Sequence, residues 1–320
     1  MSYKKILLLP HLRIHNANAL SSPFTIGFPA MTAWLGVSHA LQRKLNEYGI
    51  ALKITSTGIV SHQMDLQTYR GGNDYVSSII STGNPLVPKK KKVKGEPWSS
   101  FERPSFIEEA RCHLDVSLLI ELQGISQEQD DEVKERVTHL LNSKIKIAGG
   151  DIQGFNPPDI FVIEEGNDAS LRKLTRKVMP GYVLIERRDL MLEAMQQGQD
   201  AMDALIDYVA IHHSCEQTED EEVLWKSRRK TQKDKPAGWV VPIATGFHGI
   251  SELGQAKNQR DPETPHRFAE SLVTLGEFKM PHRFDSITQM LWRYHVDGLN
   301  NLYQCLPLNS IADDLGDEFA

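Results

Sequence analysis

The chain has 320 residues, 40% of them hydrophobic and 24% charged, with a formal net charge of −6. That profile fits one large or two ordinary globular domains and argues against a disordered or membrane chain. No apolar run approaches the roughly 20 residues of a membrane helix, and the mild acidity excludes a nucleic-acid binder that works by bulk charge, though not a local basic patch.

The N-terminus, MSYKKILLLPHLRIH, starts basic, but its apolar run Ile6–Leu9 stops at Pro10. That is too short for a signal-peptide core, so Lys5–His15 reads as a strand, buried where it starts. Ser21–Pro29 is loop punctuation. From Ala30 the residues Trp34, Val37, Leu41 and Leu45 recur at helical spacing until Gly49. Lys53–Tyr69, rich in Ile, Thr and Val, reads as a second strand. Leu114, Val116, Leu118 and Ile120 alternate with Asp115, Ser117 and Glu121, which predicts a half-buried strand. Asp130–Lys146 is an amphipathic helix on Val133, Val137, Leu140 and Leu141, and Asp159–Glu164 is a further strand after Gly149–Gly150.

Strand, helix, strand, strand, helix, strand is the split βαβ order. The expected fold class is therefore α+β, with a ferredoxin-like (RRM-like) palm over residues 1–165. About forty residues separate Tyr69 from Leu114, where a tight hairpin is normal. The insertion, about 70–112, carries Tyr75, Ile79, Ile80, Trp98, Phe101 and Phe106 and reads as a thumb between strands 2 and 3. Residues 166–320 form an irregular α+β C-terminal region. It has a predicted helix over Ile185–Val209, a mobile charged loop at 216–235, short strands over 238–253, a last helix over Ser286–His295 and a frayed acidic tail. The charged loop joins an acidic block, Glu216 and Glu219–Glu222, to a basic one running from Lys226 to Lys235.

The thumb's centre, PLVPKKKKVKGEPW, holds Lys89, Lys90, Lys91, Lys92 and Lys94. Three readings stay open: phosphate contact, a nuclear-import signal, and a solvated loop. Arg13, Asn16, Asn18, Ser21 and Ser22 crowd donors at a strand end, suited either to RNA or to turn capping. Gly149 and Gly150 permit close backbone approach or merely cap a helix. Arg260, Arg267 and Arg283 sit in proline-stiffened polar turns and suit bidentate phosphate contact as well as surface ion pairs.

Cys112, Cys215 and Cys305 are odd in number and far apart, which argues against a disulfide framework and for a reducing cytoplasm. His212, His213 and Cys215 are potential zinc ligands without a matching pair elsewhere. His11, His15, His62 and His113 could assemble a ribonuclease centre only if two of them converge on one phosphate. No Walker loop, dinucleotide fingerprint or nucleophile elbow occurs, so no metal, cofactor or catalytic residue is expected.

The stretch ILLLPHLRIHNANALSSPFTIGFPAMTAWLGVSHALQRKL resembles the N-terminus of the Csy subunit that holds the crRNA 5′ handle. That subunit belongs to the Cas-five-like family and to the type I-F CRISPR surveillance (Cascade) complex. The likeness recurs in order along the chain, in EEARCHLDVSLLIEL, KIAGGDI, RKLTRKVMPGYVLIERRDL, GWVVPIATGFHGIS, RDPETPHRFAESLVTLGEF and MLWRYH. It implies a hand-shaped, non-nuclease subunit of an antiviral defence complex. Such a subunit caps the crRNA 5′ handle, pairs with the large subunit and abuts the adjacent backbone subunit. Arg13, Asn16, Asn18, Ser21, Ser22, Gly149 and Gly150 become the leading RNA contacts by position. Arg260, Arg267 and Arg283 lie in matching blocks. The lysine tip would touch RNA, target DNA or the backbone subunit, and a nuclear address loses its purpose. The rival from another class is a ferredoxin-like endoribonuclease that processes precursor crRNA.

Overall fold

The computed structural model describes residues 3–80, 86–88, 101–102, 109–164, 166–217, 223–232, 235–236 and 238–309. The lysine run at 89–94, Trp98, Phe106, Glu219–Glu222 and the acidic tail lie outside them.

The first half is built on β1 (Tyr3–Asn18), α1 (Met31–Glu47), β2 (Lys53–Leu66), β3 (Arg111–Gln123), α2 (Asp130–Ser143), β4 (Gly150–Gly154) and β5 (Asp159–Glu164). β5, β1, β3 and β2 lie side by side in that order, each antiparallel to its neighbour. α1 and α2 pack on one face. Leu7, Leu9, Leu12 and Ile14 of β1 and Leu114–Leu122 of β3, at every second position, meet Trp34, Leu41, Leu45, Val133, Val137 and Leu140 there. Trp34 is fully buried and its indole N–H donates to the Pro29 carbonyl at 3.2 Å. Gly49, at φ +84, ends α1 in the left-handed conformation that glycine adopts without strain.

Among the described residues, the other face of this sheet is covered at one end only. Ile6, Leu8, Leu119 and Phe161 pack under α3 (Asp168–Lys177), whose Leu171 and Leu174 point inward. Farther along β1 the backbone bulges twice, with His11 at φ 51 and Asn16 at φ 55. Past the first bulge that face carries His11, Arg13 and His15 in place of aliphatic side chains.

The second half is more regular than its sequence suggests. It contains β6 (Tyr182–Glu186), α4 (Arg188–Gln196), α5 (Ala201–Val209), β7 (His212–Gln217), β8 (Val223–Arg228), β9 (Val240–Gly249), β10 (Ala269–Lys279), β11 (Trp292–Asp297) and β12 (Leu302–Pro307). Pairing runs β2–β6–β10–β9–β12–β11, and β11 returns to β2 through Trp292 opposite Thr57. Five strands thus curl round until both ends of the run, β6 and β11, abut the same edge of β2 in a barrel-like closure, while the other edge of β2 pairs with β3. Trp292 is buried at the seam and donates to the Leu184 carbonyl at 2.9 Å.

Three expectations are corrected. Ile185–Val209 is no single helix: Val183 and Leu184 are buried within a strand, and Gly198 (φ +98) separates α4 from α5, whose N-cap Asp200 accepts from the Asp203 N–H. Ser286–His295 is a single 3₁₀ turn, Ile287–Met290, followed by β11, because Trp292 and its neighbours pair with β12. The charged segment at 216–235 includes the β7–β8 hairpin, with Lys226 on Glu216 at 2.5 Å. Within the insertion, Thr68–Tyr69 pairs with Ser78–Ile79, and Val87–Pro88 with Phe101–Glu102, so the second pair brackets the lysine run.

Candidate nucleic-acid interface

The C-terminal end of β1 is tied to two other segments. The Asn18 N–H donates to the Ala148 carbonyl at 2.8 Å, and Ala19 N–H to the Ala110 carbonyl at 2.9 Å. These bonds bring the 148–149 turn, the start of β3 and the loop before α1 around one open cleft of about 470 Å³. Its lining includes Asn18, Ser21, Glu109, Arg111 and Gly149, with Pro29, Ala30, Thr32 and Ala33 at the start of α1.

The cleft suits an anionic, hydrogen-bonding ligand. α1 has no side-chain cap and no acidic residue in its first turn, so its positive dipole end faces a cleft whose charged lining residues are the paired Arg111 and Glu109, and its Ala33 N–H donates to the Ala30 carbonyl at 2.9 Å. Arg111 adds a fixed positive charge. Its Nη1 donates to the Asn16 carbonyl at 3.3 Å and its Nη2 bonds Glu109, which aligns the guanidinium along the rim. Gly149, at φ +75, keeps the floor free of a side chain.

The other anticipated contacts take different places. Asn18 bonds across its own turn, Nδ2 to the Leu20 carbonyl and Oδ1 from the Leu20 N–H, so it shapes the cleft wall. Ser22 is buried and closes the 20–26 turn through Thr25 Oγ1 at 2.7 Å, which Ser21 also engages at 2.9 Å. Gly150 is buried against β1, where a methyl would stand 2.7 Å from the His15 carbonyl. Asn16, whose carbonyl accepts from Arg111, is exposed at the cleft's edge, whereas Arg13 is exposed farther back along β1, its guanidinium against Gly154. Arg267 bonds Asn301 Oδ1 at 2.6 Å beside Gly249, Arg283 sits beyond α3's end of the sheet, and Arg260 is exposed in the loop after β9. None of those three lines the cleft. The lysine tip lies outside the described residues.

Arg111 was not singled out from the sequence. It opens the alternating strand, but the β1–β3 register is what sets it opposite Asn18.

On the uncovered face of the sheet the four histidines do meet, as two stacked pairs. His11 and His62 have ring centroids 4.1 Å apart, and His15 and His113 3.7 Å apart. His11 Nδ1 donates to both Asp115 oxygens, at 3.0 and 3.1 Å. His62 Nδ1 bonds the Pro180 carbonyl at 2.6 Å, and a carbonyl only accepts, so the proton sits on Nδ1. His62 Nε2 then accepts from the Ser117 hydroxyl at 2.7 Å. Burial pushes the His62 pKa below its ordinary value. Gly181 makes room for this ring, since a methyl there would stand 2.8 Å from His62 Nδ1.

His11, His62 and Asp115 hold potential metal-ligand atoms within 4.8 Å of one another. Both nitrogens of His62 are already bonded, and lone pairs in the planes of two stacked rings do not converge on one ion. The network is a hydrogen-bonded polar lining rather than a cation cage. His212 and His213 lie on opposite faces of β7 and bond the Asp207 carbonyl and Ser227 Oγ, which does not assemble zinc ligands.

A family model described as CRISPR-associated protein (Cas_Csy2) matches residues 7–305. The CRISPR-associated protein Csy2 of Pseudomonas aeruginosa (strain UCBPP-PA14) is 32% identical over 326 residues, covering 93% of this chain and 94% of the relative.

Proposed function

The chain belongs to the Csy2 family of CRISPR-associated proteins, and from that premise we propose that it is a subunit of the type I-F surveillance complex that grips the crRNA 5′ handle without cutting it. The carrying observation is the cleft at the end of β1, where Arg111, Gly149 and the uncapped start of α1 face one space. Phosphate oxygens take the amide groups and the guanidinium. Exposed Asn16 at the cleft's edge, and exposed Arg13 farther back along the same strand, would meet base edges or sugar. The β5–β1–β3–β2 order supports a ferredoxin-like palm, with the insertion between β2 and β3 as its thumb.

The far end of the barrel supports docking to the large subunit. Phe247, Ile250, Phe268, Val296 and Leu299 are exposed around the β9, β10 and β12 ends. Apolar surface left open at one end of a chain marks a protein partner.

A second reading, metal-independent RNA cleavage, draws on His11, which is oriented by Asp115 and has Nε2 uncommitted to that carboxylate. One experiment serves both. Labelled RNA with the 5′ handle, and a scrambled-handle control, are titrated against the chain copurified with the large subunit across a salt series, with RNA length followed throughout. Handle-dependent binding of intact RNA is expected. Cleavage at the handle boundary would replace the scaffold reading with the nuclease one, and equal affinity for both RNAs would remove the handle from the account.

A further inference from the structure

α3 carries a second, separate concentration of positive charge in a chain of net charge −6. Arg172, Lys173, Arg176 and Lys177 are all exposed, while Leu171, Leu174 and Thr175 are buried on the opposite side. His282, on the 3₁₀ turn Pro281–Arg283, joins Arg172 and Arg176 around a cleft of about 330 Å³, with Arg283 next to it. The acids lining the cleft are Asp168 and Asp285, Glu164 is tied to the start of α3 through Asn167 and Ser170, and the Arg172–Asp168 pair is long, at 3.5 Å.

Helix stability explains only part of the pattern. Arg176 and Lys177 lie in the last turn, where cations suit the dipole, but Arg172 and Lys173 sit one turn earlier and gain little from it. Residues four apart rise about 6 Å along the helix, a spacing that lets successive cations meet different phosphates of one strand. Surfaces that hold single strands combine cations with exposed aromatic rings for stacking. Here the nearby rings, Phe161 and Phe284, are buried, and Lys173 Nζ lies 5.9 Å over Phe161. The ridge offers charge without a stacking platform, which is the chemistry of a duplex backbone contact.

We propose that the exposed face of α3, with the 281–283 turn, is a sequence-independent docking surface for double-stranded nucleic acid, with DNA its partner. It lies along β5 and the N-terminal end of β1, whereas the handle cleft is at the opposite end of β1, so the two surfaces act on different ligands. The inference does not depend on the handle reading.

The test compares the full-length chain, copurified with its large subunit, with R172Q/K173Q/R176Q/K177Q. A control removes the same charge elsewhere: R43Q/K53Q/K144Q/K257Q. Labelled mixed-sequence DNA duplex is titrated by anisotropy, with handle RNA in parallel. Four lost phosphate contacts reduce the slope of log K against log salt by about 3.6. Between about 50 and 200 mM NaCl the parent would therefore weaken about 150-fold more than the α3 variant. Handle-RNA affinity stays at parent level, and the control keeps most of the duplex slope. Equal slopes for parent and α3 variant would overturn the proposal. So would an equal loss in the control, or a loss confined to handle RNA.

Discussion

Gly150→Ala tests whether the 148–150 turn is held against β1 as closely as the cleft requires. A methyl at this position would stand 2.7 Å from the His15 carbonyl oxygen, 2.7 Å from Ile14 Cγ2 and 2.8 Å from the Ala17 backbone nitrogen. Carbon contacts are comfortable only at about 3.5–4.0 Å. Two of the three atoms are β1 backbone and cannot rotate away, so β4 must lift off the bulge. Overpacking of this kind costs about 2–3 kcal/mol. Gly149→Ala is the internal comparison. Its methyl would meet nothing closer than Arg111 Nη1 at 3.8 Å, so the cost is the left-handed backbone at φ +75, about 1 kcal/mol. Urea unfolding at constant slope should rank parent above Gly149→Ala above Gly150→Ala. Handle-RNA affinity should fall with Gly150→Ala beyond the loss seen for Gly149→Ala. A Gly150→Ala protein as stable as the parent, or the reverse ranking, would refute the packing argument.

Arg111→Gln removes the cleft's lining cation and leaves its partner Glu109 facing the ligand. Handle-RNA affinity should fall about 10- to 100-fold, and the salt slope by about 0.7, with thermal stability little changed. His62 is held neutral, its pKa lowered first by burial. The unfolded chain therefore binds the proton more readily, so stability falls as pH drops below about 6.5 until the lower folded value is passed. Thermal midpoints of parent and His62→Gln at about pH 7.5 and 5.5 should show a smaller acid loss in the variant. Trp292→Ala empties the barrel seam and leaves the Leu184 carbonyl unpaired, costing about 3–5 kcal/mol in urea unfolding. Cys112 and Cys305 are buried, with thiols pushed up to about 12, and Cys215 is exposed. A thiol reagent near neutral pH should label Cys215 alone in the native protein and the other two after denaturation.

The N-terminal half was legible because its elements carry strong local patterns. Trp34, Val37, Leu41 and Leu45 follow a helical stripe, and Leu114–Ile120 alternate so cleanly that the polar set of Asp115 and Ser117 marks the face where the histidines meet. The barrel was not legible. β6, β11 and β12 are short, and their identity depends on partners far along the chain, with Trp292 pairing across to Thr57. Local apolar spacing at Ile287, Met290 and Leu291 mimics a helix turn where pairing imposes a strand. For the cleft, the sequence pointed to Asn18, Ser21 and Gly149. Arg111 stayed hidden because only strand register carries it there, and Ser22 and Gly150 proved to be buried supports.

The measurement closest to the central claim is photo-crosslinking of crRNA carrying a reactive nucleotide in the 5′ handle, in the assembled complex, with crosslinked peptides sequenced by mass spectrometry. Handle crosslinks are expected within residues 13–22, 109–111 and 148–154. Crosslinks confined to the barrel or the 212–228 hairpin, with that cleft unlabelled, would contradict it.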